Sequence, residues 1–84
     1  LIVDDHQLAR EGLRAVLENS GVDVIGVAET GERGIEMARE LGPDVILMDL
    51  RLGAGIDGLE ATRRIRAMGL PCRVLVLTLH DMPA

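Results

Sequence analysis

Short apolar runs alternate along this chain with longer stretches of helical period, and that alternation most restricts what it can fold into. Leu1-Ile2-Val3, Val24 to Ala28, Val45 to Met48 and Arg73 to Leu77 read as strands. Gln7 to Asn19, the stretch after Thr30 and the stretch after Asp57 read as helices between them. Strands separated by single helices lie parallel and are joined by right-handed crossovers. The expected class is therefore α/β: a doubly wound parallel sheet with helices on both faces. Val45 to Met48 is apolar at every position, as a central strand covered on two sides must be.

Each helix carries its own start, stop and inward stripe. In the first, Ala9, Leu13, Val16 and Leu17 recur at helical spacing, and Ser20-Gly21 ends it. Thr30 caps the second, whose Gly34, Met37, Ala38 and Leu41 follow the i, i+3, i+4, i+7 pattern before Gly42-Pro43 stops it. Asp57 and Glu60 form a capping-box-like start to the third, which buries Ala61, Ile65 and Met68 and ends at Gly69 and Pro71. One face of such a sheet is left short of cover, because an open α/β sheet of this kind needs a later helix. Leu1 opens directly in an apolar run, and Leu79 to Ala84 is a loop after a strand. The expectation is a piece of a longer chain, cut at both ends and chiefly at the C-terminus.

Three acids fall where strands end: Asp4-Asp5 after the first and Asp49 after the third. In open α/β sheets ligands bind beyond the carboxyl ends of the strands, where the strand order switches direction. If the two strands are neighbours, the three carboxylates converge. Like charges about 5 Å apart at an effective dielectric near 20 repel by roughly 3 kcal/mol per pair. A hard divalent cation with oxygen ligands offsets that best. Thr78, at the end of the fourth apolar run, brings a hydroxyl to the same edge. Acids, a magnesium ion and a hydroxyl together point to phosphoryl chemistry. The plainer alternative, that Asp4 and Asp5 only complement a helix dipole, serves for either acid alone but not for three acids and Thr78.

Composition removes several classes. Net charge is −5, from 9 basic and 14 acidic residues, so these residues repel nucleic acid. No apolar stretch approaches the ~20 residues that span a membrane, and no signal peptide is visible. The single cysteine, Cys72, fits a reducing cytosol and reads as a small apolar strand residue. With no Phe, Tyr or Trp, the core is aliphatic, and the 4 Met residues fill it or lie in loops. His6 and His80 flank the acidic edge; a metal or acid-base role is one option, but without a third ligand they read as exposed loop histidines. Gly53-Ala54-Gly55-Ile56-Asp57-Gly58 matches the dinucleotide fingerprint in outline. However, Asp49 to Leu52 separates it from the strand, and Asp57 would oppose a pyrophosphate at the helix start.

As a set, the Asp4-Asp5-His6 opening, Pro43-Asp44-Val45-Ile46-Leu47-Met48-Asp49-Leu50-Arg51, Asp57-Gly58-Leu59-Glu60-Ala61-Thr62 and Val74-Leu75-Val76-Leu77-Thr78 resemble the receiver domain of bacterial response regulators, over essentially the whole chain. Asp-Asp-His and the Leu-Arg after the acid resemble the NarL/FixJ (LuxR-output) subfamily. The resemblance implies a flavodoxin-like receiver fold and a phosphoacceptor signalling domain in the cytoplasm. Such a domain promotes only its own phosphorylation and dephosphorylation. It implies Asp49 as phosphoacceptor; Mg2+ bound by Asp5, Asp49 and the main-chain carbonyl of Arg51; Asp4 acting on the metal largely through water; and Thr78 hydrogen-bonding a phosphoryl oxygen and switching inward. Implied partners are a sensor histidine kinase, docking near Leu8, Arg10, Glu11 and Arg14, a second copy in a homodimer, and DNA through an output domain outside these residues. The sequence departs from the family pattern in three ways. The resemblance implies a strand-five lysine and an aromatic switch position, and these 84 residues stop before both. The loop Leu52-Gly53-Ala54-Gly55-Ile56 lacks the usual proline and is one residue longer. Leu79 follows Thr78 where a smaller residue is common. The last two motivate an alternative, a phosphorylation-independent interaction module on the same fold.

Overall fold

The computed structural model describes residues 1–77. The elements run β1 (Ile2–Val3), α1 (Gln7–Asn19), β2 (Val27–Ala28), α2 (Gly31–Leu41), β3 (Val45–Asp49), α3 (Gly58–Ala67) and β4 (Arg73–Leu77). All strands are parallel, in the order β2-β1-β3-β4. The order reverses at β1, so the switch point lies between β1 and β3, with Ile2 beside Leu47 and Val3 beside Met48.

Local signals set the helix ends. The Thr30 side chain accepts from the Arg33 N–H at 3.1 Å, and the Asp57 Oδ1 from the Glu60 N–H at 2.8 Å. Only half of the capping box forms at α3, because the Glu60 carboxylate turns instead to the Arg64 Nε at 2.9 Å. Gly42 ends α2 in the left-handed conformation, φ 59°.

The core lies between the sheet and the α2/α3 layer: Leu1, Val3, Ile46 and Met48 meet Ala38, Ala61 and Ile65. Small residues allow the close approach. A Cβ on Gly34 would stand 2.8 Å from the Val3 Cγ2, so only glycine lets α2 sit this near to β1.

Three expectations need correction. β2 is two residues, not five: β1 offers it only Ile2 and Val3 as register partners, so Ile25 stands exposed. Val16 is 64% exposed and no residue of α1 is buried; its stripe rests on the sheet through the half-buried Ala9, Leu13 and Leu17. Leu41 and Val45 are also partly open to solvent, at 42% and 41% exposure. They line an open apolar groove of about 610 Å³ with Leu1, Ile2, Leu17 and Leu75, on the face that α1 only partly covers. Among the described residues no helix is long and apolar enough to cross a membrane.

Candidate functional site

The three acids converge at the switch point. Asp49 closes β3 and Asp4 follows β1; each is 4% exposed, and they are the buried charged residues among those described. Ligand atoms of Asp4, Asp5, His6 and Asp49 all lie within 4.8 Å of one another. At that distance and an effective dielectric near 20, each carboxylate pair costs about 3 kcal/mol.

The backbone holds the cluster in place. The His6 N–H donates to the Asp4 Oδ1 at 2.8 Å, closing a tight turn directly after β1. The Arg51 N–H donates to the Asp49 Oδ1 at 3.1 Å, which brings the Arg51 main chain against the carboxylate. The Gly53 N–H donates to the Asp5 Oδ2 at 2.7 Å, tying the loop after β3 to the acid after β1. The other oxygen, Asp5 Oδ1, is shielded from solvent and accepts no hydrogen bond. It stands 2.8 Å from the His6 Nδ1, which is 3.4 Å from the Asp4 Oδ1. An oxygen lone pair kept dry beside other electron-pair donors suits a cation, and oxygen-rich donors of this kind suit a hard one.

Gly58 positions the site from below. Its N–H donates to the Leu50 carbonyl oxygen at 3.0 Å, and a Cβ there would collide with the Asp49 carbonyl oxygen. The start of α3 therefore lies flush against the end of β3, which explains the glycine after the Asp57 cap. The lengthened loop is ordered by carboxylates. Leu52 is buried, Asp5 accepts from the Gly53 N–H, and the Glu32 Oε2 accepts from the Ile56 N–H at 3.2 Å. With Asp57 on the Glu60 N–H, acids occupy the amides a dinucleotide pyrophosphate would need, so the glycine pattern is a turn and not a phosphate cradle.

Of the residues singled out in the sequence, the structure brings Asp4, Asp5 and Asp49 together and puts the Arg51 backbone beside them. Thr78, Leu79 and His80 lie outside the described residues. Reading the sequence missed two participants, Arg10 and Glu32, and held a metal or acid-base role for His6 only as the lesser option. His6 has a 53% exposed side chain, as a loop histidine should, yet its Nδ1 belongs to the cluster. Arg10 is turned inward at 14% side-chain exposure, with its Nη1 donating to the Asp4 carbonyl oxygen at 2.8 Å. Glu32, on another helix, pins the loop. The adjacency of His6 to two acids was a signal; nothing local marked the others.

A parallel sheet with buried acids gathered at its switch point and an Asp-Gly helix start define a class of α/β domains with a candidate cation site at the strand ends. The comparison with known families makes this specific: the response regulator receiver domain matches residues 1–84, and the chain belongs to that family. The chain is 43% identical over 81 residues to the response regulator UvrY of Escherichia coli, covering 95% of this chain and 37% of that protein. It is 42% identical over 78 residues to the virulence-factor positive transcription regulator BvgA of Bordetella pertussis, covering 93% and 37%. The solved signal receiver domain of NarL from Mycobacterium tuberculosis superposes with a TM-score of 0.88 at 41% identity, over 98% of this chain and 66% of that one. The chain thus spans under two fifths of the length of these curated relatives.

Proposed function

We propose that this chain is the phosphoacceptor receiver of a two-component response regulator and that Asp49 is the acceptor. The observation that carries the reading is the convergence of Asp4, Asp5 and Asp49, from two neighbouring strand ends, with two of the three nearly buried. An Asp49 carboxylate oxygen attacks the phosphorus of a phosphohistidine on a sensor kinase. The P–N bond breaks, its electron pair returns to the imidazole, and an acyl phosphate forms on Asp49.

Asp5, Asp49 and the main-chain carbonyl of Arg51 would hold Mg2+ directly, with Asp4 acting through water. The ion supplies charge neutralisation for the phosphoryl oxygens, which is most of what such a transfer requires. The protein's residues do the rest. The Arg51 N–H orients the acceptor carboxylate, Gly58 permits the close packing beneath it, and the loop from Leu52 to Ile56 forms the rim. Thr78 would hydrogen-bond a phosphoryl oxygen and carry the switch. By likeness to BvgA, a transcription regulator by name, the output would be a DNA-binding domain outside these residues, acting in the cytoplasm, with homodimerisation as one route of activation.

Titration with Mg2+, followed by phosphorylation with a small acyl-phosphate donor, tests the reading. Millimolar or tighter Mg2+ binding that Asp49→Asn removes is the expected result. A folded protein that binds no Mg2+ supports the phosphorylation-independent module instead.

A further inference from the structure

We propose that His6 is a ligand of the same cation site, through Nδ1, and that this nitrogen opens the site to borderline transition cations such as Ni2+ as well as Mg2+. The inference rests on the cation-site reading of Asp4, Asp5 and Asp49 and adds a residue that reading does not use.

The geometry carries it. Around an octahedral ion with ligands about 2.1 Å away, neighbouring donors lie roughly 3 Å apart and opposite ones roughly 4 Å. The His6 Nδ1 lies 2.8 Å from the Asp5 Oδ1 and 3.4 Å from the Asp4 Oδ1, the spacing of adjacent corners. The full donor set spans no more than 4.8 Å, within a small side-chain adjustment of an opposite pair. The Asp5 oxygen facing His6 is dry and accepts no hydrogen bond, while its other oxygen is engaged by the Gly53 N–H. Asp5 therefore gives one oxygen to the loop and turns the other, which accepts no hydrogen bond, to within 2.8 Å of the His6 Nδ1.

The imidazole is delivered by its own backbone. The His6 N–H is fixed to the Asp4 Oδ1, so the ring is placed at the cluster by a turn that any residue with an N–H can form. Removing the ring leaves the acids where they are. Oxygen donors alone favour Mg2+ and Mn2+, whereas an imidazole raises affinity along the series toward Ni2+ and Cu2+.

The test is calorimetric titration of the 84-residue chain with Mg2+ and, separately, with Ni2+, for the unmodified protein, His6→Ala, His80→Gln and Asp49→Asn. His6 and His80 are the only two histidines, so the set isolates the nitrogen. The expected result is a tenfold or greater loss of Ni2+ affinity in His6→Ala, with Mg2+ affinity held within twofold and His80→Gln unchanged. Unaltered Ni2+ affinity in His6→Ala overturns the proposal. So does an equal loss for both ions, which would make His6 a positioning residue, or a Ni2+ loss confined to His80→Gln. Ni2+ binding that depends on His6 without any Mg2+ binding would uphold the inference while removing the Mg2+ reading; Mg2+ binding with Ni2+ indifferent to His6 does the reverse.

Discussion

The two faces of the sheet are finished to different degrees. On the α2/α3 face, Val3, Ile46, Met48, Ala38 and Ala61 are all fully buried. On the α1 face Ile2 is equally buried, but Leu75 is 54% and Val45 41% exposed, and the groove of about 610 Å³ opens between them. The difference comes from the residues on the helices. Gly34, Ala38 and Ala61 let α2 and α3 settle onto the strands, whereas α1 presents larger side chains and touches the sheet chiefly at β1. The contrast also separates volume from chemistry. The groove is mostly apolar and holds none of the clustered acids, while the site is a tight knot of charge at the strand ends.

Truncations test this contrast most strongly. Ile46→Ala, inside the packed face, should lose about 2–5 kcal/mol in urea denaturation. Leu75→Ala, on the open face, should lose under about 1 kcal/mol, since half its surface already meets water. Equal losses would break the comparison. Gly58→Ala should cost about 1–3 kcal/mol by overpacking and also weaken Mg2+ binding, because the added Cβ pushes on the Asp49 carbonyl; a stability loss with Mg2+ affinity intact would separate the packed face from the site. Asp57→Ala removes the α3 cap and should cost about 1 kcal/mol by thermal denaturation. Arg64→Ala, in an exposed pair with Glu60, should change stability by only a few tenths of a kcal/mol.

Much of this was legible in the sequence where the determinants are local. Thr30, Gly42 and Asp57 announced the ends of α2 and the start of α3, and the apolar run before Asp49 announced a central strand. Errors arose where a partner decides. Val24 and Ile25 look like strand, but β1 is too short to pair with them. Val16 and Leu41 sit on apolar stripes, but burial depends on what covers the stripe, which periodicity does not encode. At the site, Asp4, Asp5 and Asp49 were legible because a charge at a strand end has few structural uses. The contacts that order them were not: the Gly53 N–H on Asp5 joins residues 48 apart, and the Glu32 contact with Ile56 joins residues 24 apart. His6 read chiefly as a loop residue because its place in the cluster depends on the turn that the Asp4 hydrogen bond closes.

The central claim is that Asp49 accepts a phosphoryl group at a cation-dependent site. Intact-mass measurement of the full-length protein after incubation with acetyl phosphate, with and without Mg2+, tests it most directly, with Asp49→Asn in parallel. The account predicts a gain of one phosphoryl group that requires Mg2+ and is absent from Asp49→Asn. A folded protein that gains no mass, or one in which Asp49→Asn gains the same mass as the unmodified protein, would contradict it.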